Sequence, residues 1–319
     1  MVVGLYRRGG IVLEGISGEE YLKRHMGKRD GERVFLNTVE ALYALEMGWI
    51  EGVLREGDLL GFPEYLRSIS ERGQREINLY IVYRDLRRRG HVALWSGGRL
   101  IEVLKGKSSN IVKWVVFPLS FKERIPLRKV FKELKKCVSL KRTLILAFYD
   151  TEGDVTYYRA SPFRWAPVAQ TRALPGGEVI HFKDLAMVVE RYEGGARERW
   201  KVRFMDRNED LFFGGREGKW DEFTHIYGYI SELGYTVKSG LKYGSHFRVY
   251  RGNPEKGHSL YLLRYEGGRR PTVRVLDLLA AARIAHSVRK ELVVGIKNYG
   301  KKGEEEEPYH FLSLRWARI

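Results

Sequence analysis

Cysteine is almost absent from this 319-residue chain, because Cys137 stands alone. A single thiol excludes an internal disulfide framework and a cysteine-based zinc site, and it fits a reducing cytoplasm. We expect Cys137, in a helix-like segment, to be buried packing. The chain also has no apolar run of the roughly 20 residues that a membrane helix needs. The first residues, Met1 to Arg8, do not form a signal-peptide pattern. The sequence therefore predicts a cytoplasmic protein with no membrane partner.

Acidic residues are outnumbered by basic ones. There are 57 Lys and Arg against 40 Asp and Glu, so the formal net charge is +17 and the pI is about 9.8. Such a balance predicts a polyanionic partner, most often nucleic acid. A generally charged surface, as in thermophile proteins, is the alternative interpretation of the 30% charged residues. A hydrophobic content of 44% predicts a folded core, and the length suffices for two domains.

Strand and helix signals are mixed along the chain. Val2 to Ser17 predicts two strands, and Thr38 to Gly48 predicts a helix with Thr38 as its N-cap. Pro126 to Cys137 has helical periodicity, and Thr143 to Tyr149 is an apolar strand. A further helix is predicted from about Thr272 to Lys290. These signals indicate a mixed α/β (α+β) fold.

The second half of the chain repeats the plan of the first. The segment Tyr83–Gly90 is matched 144 residues later by Tyr227–Gly234, and Arg99–Leu104 is matched by Ser245–Tyr250. Duplication at this period predicts two similar units and not a solenoid. We predict two tandem pseudo-repeats, each divided into two lobes. The predicted bounds are 1–75, 76–166, 167–220 and 221–319, with the Pro- and Gly-containing stretch Ala166–Gly177 between the repeats.

Reactive side chains are concentrated between Ser239 and Lys290. Polar and apolar residues alternate up to Tyr250, which predicts a strand that buries Val249 and presents Tyr250 to solvent or a ligand. His258 stands just before the next apolar run, and Lys290 ends the predicted helix. One phenol, one imidazole and one ammonium could thus converge.

The first repeat lacks two of these groups. Its aligned positions are Leu104, about Val112, and Arg142, so only the second repeat keeps the phenol and the imidazole. This asymmetry is expected if one copy catalyses and the other supports it. Drift alone would produce the same asymmetry.

Three ordered motifs carry a close resemblance to a known family. They are Lys238–Tyr250, His258–Leu262 and Ala282–Lys290, with a weaker match at Gly153–Tyr158. The chain resembles the archaeal tRNA-intron endonucleases in their two-repeat, homodimeric form. The resemblance implies that each repeat has a small α/β N-terminal lobe and a restriction-endonuclease-like, catalytic-type lobe, in which a mixed central sheet is flanked by helices. It also implies an enzyme that cuts precursor tRNA at bulge-helix-bulge junctions. It implies no metal or other cofactor, and 2′,3′-cyclic phosphate and 5′-hydroxyl ends.

The same resemblance implies a role for each reactive group. Tyr250 matches the general base on the 2′-hydroxyl, His258 the general acid on the leaving oxygen, and Lys290 the cation that stabilises the phosphorane. Positioned acid and base groups typically contribute about 100- to 10,000-fold each. A phenol has an unperturbed pKa of about 10, so it needs nearby cations to ionise. Arg248 or Lys290 could supply them.

Other residues match RNA-binding or interface positions of the family. Arg283 and Arg315 resemble the pair that clamps a splayed bulge base, and Arg248 joins them as an RNA-binding candidate. The bland alternative is a solvated helix charge for Arg283 and a structural or phosphate contact for Arg315. The acidic turn with Asp150, Glu152 and Asp154 resembles the loop that docks in a basic cleft of the partner subunit. It could equally be a simple hairpin turn.

Several rival interpretations remain open at the sequence level. His246 is a rival acid or base on the face of Tyr250, and His286 is expected to pack or to contact phosphate. A divalent-metal nuclease would use carboxylates such as Asp221, Glu222 and Asp277. A non-catalytic RNA-binding subunit that needs a catalytic partner is the alternative function. The acidic run Glu304–Glu307 is expected to be solvated or to pair with neighbouring lysines.

Overall fold

The structure of the protein is a computed structural model. The structure describes residues 2–14, 17–71, 73–95, 97–169, 177–182, 185–193, 198–214, 219–255, 257–299 and 307–319. Most of the predicted linker Ala166–Gly177, and residues 304–306 of the acidic run, lie outside these ranges.

The N-terminal lobe is a six-stranded sheet with three helices. The strands are β1 (Val3–Arg7), β2 (Gly10–Leu13), β3 (Lys28–Asp30), β4 (Arg33–Asn37), β5 (Gly52–Arg55) and β6 (Asp58–Leu60), in the order β3-β4-β2-β1-β5-β6. The helices are α1 (Ser17–Lys23), α2 (Thr38–Glu46) and α3 (Phe62–Ser70). The two predicted strands at the start of the chain are thus confirmed.

The N-cap of α2 differs from the prediction. The cap is Asn37 and not Thr38, because the Asn37 side chain accepts hydrogen bonds from the backbone N–H groups of Val39 and Glu40. The Glu40 carboxylate in turn accepts from the Asn37 backbone at 3.1 Å. This reciprocal capping box satisfies N–H groups that a helix start otherwise leaves unpaired.

The first catalytic-type lobe follows directly. Its elements are α4 (Gln74–Arg88), β7 (Ala93–Leu94), β8 (Ile101–Leu104), β9 (Val112–Ser120), β10 (Arg124–Pro126), α5 (Leu127–Ser139), β11 (Thr143–Tyr149) and β12 (Val155–Phe163). Strand β11 is apolar at almost every position because it runs parallel to β9 in the middle of a sheet that is covered on both faces.

The second repeat has a smaller N-terminal lobe and a full catalytic-type lobe. The small lobe is a three-stranded antiparallel sheet, β13 (Glu178–Phe182), β14 (Leu185–Glu193) and β15 (Glu198–Met205), followed by α6 (Arg207–Phe213). The catalytic-type lobe contains α7 (Glu222–Glu232), β16 (Thr236–Ser239), β17 (Phe247–Tyr250), β18 (Tyr261–Glu266), β19 (Thr272–Arg274), α8 (Val275–Ser287), β20 (Glu291–Lys297) and β21 (Tyr309–Trp316).

The two catalytic-type lobes share one ten-stranded sheet. Its order is β16-β17-β18-β20-β21-β12-β11-β9-β8-β7, so five strands of each repeat meet at the antiparallel pair β12 and β21. The parallel pair β9–β11 of the first repeat is reproduced by β18–β20 of the second. The predicted duplication is therefore confirmed, strand by strand.

A second contact joins the repeats symmetrically above this sheet. Strands β10 and β19 pair antiparallel, and the N–H of Leu127 donates to the carbonyl of Pro271 at 2.9 Å. The N–H of Val275 donates to the carbonyl of Glu123 at 3.0 Å, which is the same bond with the repeats exchanged. The segment Thr272–Arg274 is therefore a strand, and the helix that was predicted to begin at Thr272 begins at Val275.

The core lies on both faces of the long sheet. One face packs beneath α5 and α8 in a single apolar cluster that both repeats supply, and Cys137 is buried there as predicted. The opposite face is covered in part by α4, which buries Tyr83, and by α7, which buries Tyr227. This arrangement confirms a mixed sheet flanked by helices in each repeat. No helix among the described residues is long and apolar enough to cross a membrane.

Candidate active site

Three adjacent strands bring the predicted catalytic segments to one end of the sheet. Strand β17 ends at Tyr250, and the N–H of Leu260 donates to the carbonyl of Val249 at 3.0 Å. The N–H of Glu291 donates to the carbonyl of Leu260 at 3.1 Å. Because neighbouring strands lie about 4.8 Å apart, Tyr250 and Lys290 flank Leu260 across roughly 10 Å.

Lys290 leaves the end of α8 through a tight turn and is not part of the helix. Its N–H donates to the carbonyl of Ala285 at 2.8 Å, and Arg289 has the positive φ of 55° that closes such a turn. The first repeat builds the same turn, with Lys141 at φ 53° and the N–H of Arg142 bonded to Cys137 at 2.8 Å. The helix that was predicted to extend to Lys290 therefore ends earlier, at Ser287.

The ammonium of Lys290 is bound to the loop that carries His258. Its Nζ donates to the carbonyl oxygen of Ser259 at 2.7 Å. Ser259 is buried, whereas His258 itself is exposed to solvent. The structure thus links the cation to the residue next to the imidazole.

Tyr250 is more buried than the strand pattern predicted, with 8% of its surface exposed. The guanidinium carbon of Arg248 lies 5.9 Å from the centre of the Tyr250 ring and 5.8 Å from that of Tyr243. Arg248 is held in place because its Nε donates to the carbonyl of Ser239 at 2.7 Å. A fixed cation therefore lies beside the phenol.

A cavity of about 400 Å³ opens between the end of α8 and the ends of β20 and β21. Of the three predicted catalytic residues Lys290 lines it, as does Leu260, which follows the His258 loop and whose N–H is bonded to the carbonyl of Val249. The lining side chains combine cations and aromatic rings: Leu260, Tyr261, Ala282, His286, Arg289, Lys290, Glu291, Leu314, Arg315 and Trp316.

Arg315 does not face the same side of the sheet as Arg283. Leu314 packs in the core beneath α8, and side chains alternate along a strand, so Arg315 projects from the other face. There it makes two hydrogen bonds to Glu291, at 2.9 and 2.6 Å, and this contact raises its pKa. Within this conformation the predicted arginine pair is not assembled.

Trp316 is a residue that sequence reasoning missed. It is 48% exposed, and its ring centre lies 5.5 Å from that of His286 on α8. Arg283 is exposed on the same helix, close enough to Tyr158 for its charge to oppose the rise in the Tyr158 pKa that burial causes. Tyr158 is the register partner of Trp316. Alternation along β21 was the available signal, since Leu314 is buried two residues earlier.

His246 lies at the far end of β17 from Tyr250 and does not share its site. The two residues are four positions apart in the chain, which corresponds to roughly 13 Å along an extended strand. The His246 ring packs against Phe223 of α7 at 4.9 Å, and its Nδ1 accepts the N–H of Tyr265 at 2.9 Å. Burial, together with the nearby Arg264, lowers the pKa of His246 to about 4. The prediction that His246 lies on the same face as Tyr250, next to the site, is therefore wrong.

The first repeat neutralises its counterpart of the site. Arg142, in the place of Lys290, donates to Glu102 at 2.6 Å, and Glu102 stands in the place of Arg248. Leu104 replaces the tyrosine, as the alignment predicted, and the exposed Ile111 precedes the strand in the loop that corresponds to the His258 loop. A paired cation and two aliphatic side chains leave this copy without an acid or a base at these positions.

The acidic turn joins β11 to β12 as a hairpin. Asp150 Oδ1 accepts the N–H groups of Glu152 and Asp154, both at 3.0 Å, and Gly153 has a positive φ of 84°. Asp150 therefore shapes the turn, which leaves the Glu152 and Asp154 carboxylates exposed.

The carboxylates of the metal-nuclease alternative are engaged in structural contacts. Asp221 caps α7 by accepting from the N–H of Thr224, and Glu222 accepts the N–H of Gly268 at 2.8 Å. Asp277 makes two hydrogen bonds to Arg274, which lower its pKa. Of the acidic run, the described Glu307 accepts a hydrogen bond from Tyr229 at 2.7 Å.

Comparison with known proteins agrees with this geometry. The family model for the tRNA intron endonuclease catalytic C-terminal domain matches residues 77–157 and again residues 221–303. The model for the N-terminal domain of the same family matches residues 9–66. The chain belongs to the tRNA intron endonuclease family. The family membership that the motifs indicated is thereby confirmed, and the protein is an endoribonuclease of the class that excises introns from precursor tRNA.

Archaeal relatives of two lengths are similar to this chain. A tRNA-splicing endonuclease of Methanosarcina mazei is 28% identical over 94% of this chain and 95% of its own length. One from Pyrococcus furiosus is 29% identical over only 44% of this chain but 82% of its own length. One from Methanopyrus kandleri is 40% identical over 30% of this chain and 50% of its own. The family thus includes proteins that correspond to about half of this chain.

Proposed function

We propose that this protein cuts precursor tRNA at bulge-helix-bulge junctions by metal-independent transphosphorylation. The observation that supports it most is the bond from Lys290 Nζ to the carbonyl of Ser259. This bond joins the β20 end of the site to the His258 loop, while Tyr250 ends the neighbouring strand. A base, an acid and a cation within reach of one phosphate are what in-line attack by a 2′-hydroxyl requires.

In the proposed reaction each group has one task. The Tyr250 phenolate takes the proton of the 2′-hydroxyl, whose oxygen forms a bond to phosphorus. The bond from phosphorus to the 5′-oxygen breaks, and His258 donates a proton to that leaving oxygen. Lys290 stabilises the negative charge on the non-bridging oxygens. The products are a 2′,3′-cyclic phosphate and a 5′-hydroxyl.

Arg248 is a cation that lies beside the Tyr250 phenol. Its guanidinium carbon lies 5.9 Å from the centre of the Tyr250 ring, and the bond to Ser239 fixes it there. In the RNA complex Arg248 also contacts a phosphate.

RNA binding is proposed for the aromatic and cationic rim of the cavity. Arg283, on the exposed side of α8, and Trp316 offer planar groups on which an unpaired base can stack. Arg315 can stack on the same base only if its hydrogen bonds to Glu291 break. We therefore propose that Arg315 contacts a phosphate, or contacts the base after such a rearrangement. Bulged bases suit such a rim because their faces are free.

The protein is proposed to act as a homodimer. Excision of an intron needs two cuts, whereas each chain carries one complete set of Tyr250, His258 and Lys290. The β13–β15 sheet has an apolar outer face that suits a second copy. Its exposed residues are Ile180 (37%), Trp200 (59%), Val202 (49%) and Phe204 (64%). The acidic turn with Glu152 and Asp154 is proposed to dock in a basic cleft of that copy.

The reaction is tested with a precursor RNA that carries a single 2′-deoxy residue at one cleavage site. We expect no cut at that site and an undisturbed cut at the other, in the presence of a chelator. The released ends should contain a cyclic phosphate. Cleavage at the deoxy site would contradict attack by the 2′-hydroxyl.

The dimer is tested by light scattering over a range of concentrations. We expect Val202→Lys to dissociate it, and Leu59→Lys, a 55% exposed position on β6, to leave it intact. Charge reversal at Glu152 and Asp154 should weaken it at low salt. A wild-type protein that is monomeric at all concentrations and still makes both cuts would contradict the proposal.

A further inference from the structure

Strand β15 of the small lobe turns its charged side toward the catalytic lobe. Alternate residues Arg199, Lys201 and Arg203 share one face, opposite the apolar outer face. Arg203 donates to the buried carboxylate of Glu209 at 2.6 Å. Lys238 of β16, in the catalytic lobe, donates to both oxygens of the same carboxylate, at 2.6 and 2.7 Å. One buried anion therefore ties β15 to the long sheet.

Helix α6 fixes the same lobe by apolar contacts. Phe212 lies in the core of the catalytic lobe and packs against Tyr227, with ring centres 5.5 Å apart. Its neighbour Phe213 packs on the small-lobe residues Ala186, Val188 and Met205. Since Phe212 is buried in the core of the catalytic lobe and the partly buried Phe213 packs against the small lobe, α6 holds the small lobe, and with it β15, against the catalytic lobe.

Strand β15 contacts the loop that carries His258. Lys201 Nζ lies 2.9 and 3.1 Å from the two carboxylate oxygens of Glu255, in the loop between β17 and β18. The Glu255 backbone is itself bonded to the Asn253 side chain at 2.8 Å. Glu255 precedes His258 by three residues.

The loop is therefore held on both sides of the imidazole. On one side Lys201 binds Glu255, and on the other Lys290 binds the carbonyl of Ser259. The first anchor comes from the small lobe and the second from the catalytic lobe. Only the exposed His258 and its immediate neighbours lie between them.

In the part of the first repeat that the structure describes, no such tether is seen. Its corresponding loop, 105–111, is closed by bonds within itself, from the N–H of Lys105 to Ile111 at 2.8 Å and from Ser109 to Gly106 at 3.2 Å. Among the described residues, no ion pair reaches this loop from the N-terminal lobe. The tether is present where the imidazole is present.

We propose that Lys201 and Glu255 are positioning residues, which hold the His258 loop so that the imidazole meets the leaving oxygen. The inference rests on the proposed role of His258 as the general acid. The small lobe of the second repeat then serves catalysis through one ion pair, without touching RNA. An exposed pair holds its partners weakly and positional errors of about 1 Å can slow an enzyme about 100-fold, so we expect a loss of roughly fivefold to tenfold.

The test uses two RNA substrates that differ in one atom. The first is the natural junction, and the second has sulfur in place of the 5′-bridging oxygen, so its thiolate leaving group needs no proton. We expect Lys201→Met and Glu255→Gln to slow single-turnover cleavage of the natural RNA roughly fivefold to tenfold, with unchanged RNA affinity. On the sulfur RNA both variants should match the wild type. The double charge swap K201E with E255K should restore the rate on the natural RNA.

The controls separate the two proposals. Glu14→Gln removes the Arg33–Glu14 pair, which has the same 2.9 Å distance and similar exposure, and should not alter either rate. His258→Ala must be slow on the natural RNA and restored on the sulfur RNA; if it is not restored, the proposed acid role fails. If His258→Ala is restored while Glu255→Gln is equally slow on both RNAs, or is not slowed at all, the positioning role alone is overturned. Weakened RNA affinity in Lys201→Met would overturn it too, because Lys201 would then bind RNA directly.

Discussion

Lys290 and Ser259 are joined by a 2.7 Å hydrogen bond from an ammonium to a backbone carbonyl. The cation proposed for the phosphorane therefore also supports the loop of the proposed acid. Loss of Lys290 should disturb two catalytic functions at once.

We accordingly expect Lys290→Met to lower single-turnover cleavage by more than 100-fold, since both charge stabilisation and loop support are lost. Hydrogen exchange of residues 251–260 should become faster. The matched control is Arg142→Met, at the same position of the first repeat, where the cation is paired with Glu102. It should cleave within about twofold of the wild type, and an equal loss in both variants would contradict the assignment.

Trp316 provides the sharpest test of RNA binding. Trp316→Ala should weaken binding of a bulged RNA about tenfold, because stacking of one base contributes roughly 1–3 kcal/mol. Arg315→Met should weaken it less, since Arg315 is paired with Glu291 on the other face. Filter binding with bulged and fully paired RNA measures the difference. An effect that is equal for both RNAs would argue against stacking on an unpaired base.

Because the pKa of His246 is lowered by folding, we expect the stability of the fold to decrease at acidic pH. Its folded pKa of about 4 lies below the unfolded value of roughly 6.5, so the unfolded chain takes up the proton first as pH falls. The stabilisation is present above pH about 6.5 and is lost as pH falls toward 4, by up to about 3 kcal/mol. In His246→Asn, which keeps an acceptor for the Tyr265 N–H, this part of the acid loss should disappear in urea unfolding. RNA cleavage by this variant should be unchanged; a large loss would restore His246 as a catalytic candidate.

Replacement of Glu209 should strongly lower the stability of the fold, because its buried carboxylate binds two cations. Glu209→Leu leaves the Lys238 and Arg203 cations without their shared carboxylate, and loss of one partner in a buried pair costs about 3–5 kcal/mol. Thermal unfolding should show a clear drop of the midpoint. Glu14→Gln, which removes an exposed pair, should have little effect. A Glu209 variant as stable as the wild type would show that α6 alone fixes the small lobe.

The sequence was sufficient to predict which residues of the two repeats correspond, because the repeats are related by a nearly constant offset along the chain. The alignment of Leu104 with Tyr250 and of Arg142 with Lys290 is reproduced by strand register and by the shared turn with positive φ. The side of the sheet on which the Arg315 side chain lies could not be predicted in this way. A motif match gives a residue its place in the chain, but the direction of its side chain depends on which neighbour is buried, here Leu314.

Tertiary pairing decided the remaining differences. Thr272–Arg274 has helix-compatible neighbours, yet it forms a strand because Arg124–Pro126 of the other repeat offers a pairing edge. The tether from Lys201 to Glu255 joins residues 54 apart and leaves no local signal. The alternation of polar and apolar residues predicts that His246 and Tyr250 share a face. His246, however, precedes β17, and its ring packs against Phe223. None of these contacts is encoded within one segment.

The junction of β12 with β21 has a consequence for how the chain can be divided. The two catalytic-type lobes hold each other through six register pairs, through the β10–β19 ladder and through one common core, none of which depends on the peptide that links the repeats. Two separately synthesised halves would each present a bare strand edge at this junction, which the other half completes in the intact protein. The protein should therefore be reconstituted from two chains, and either half alone should be insoluble or pair with a copy of itself.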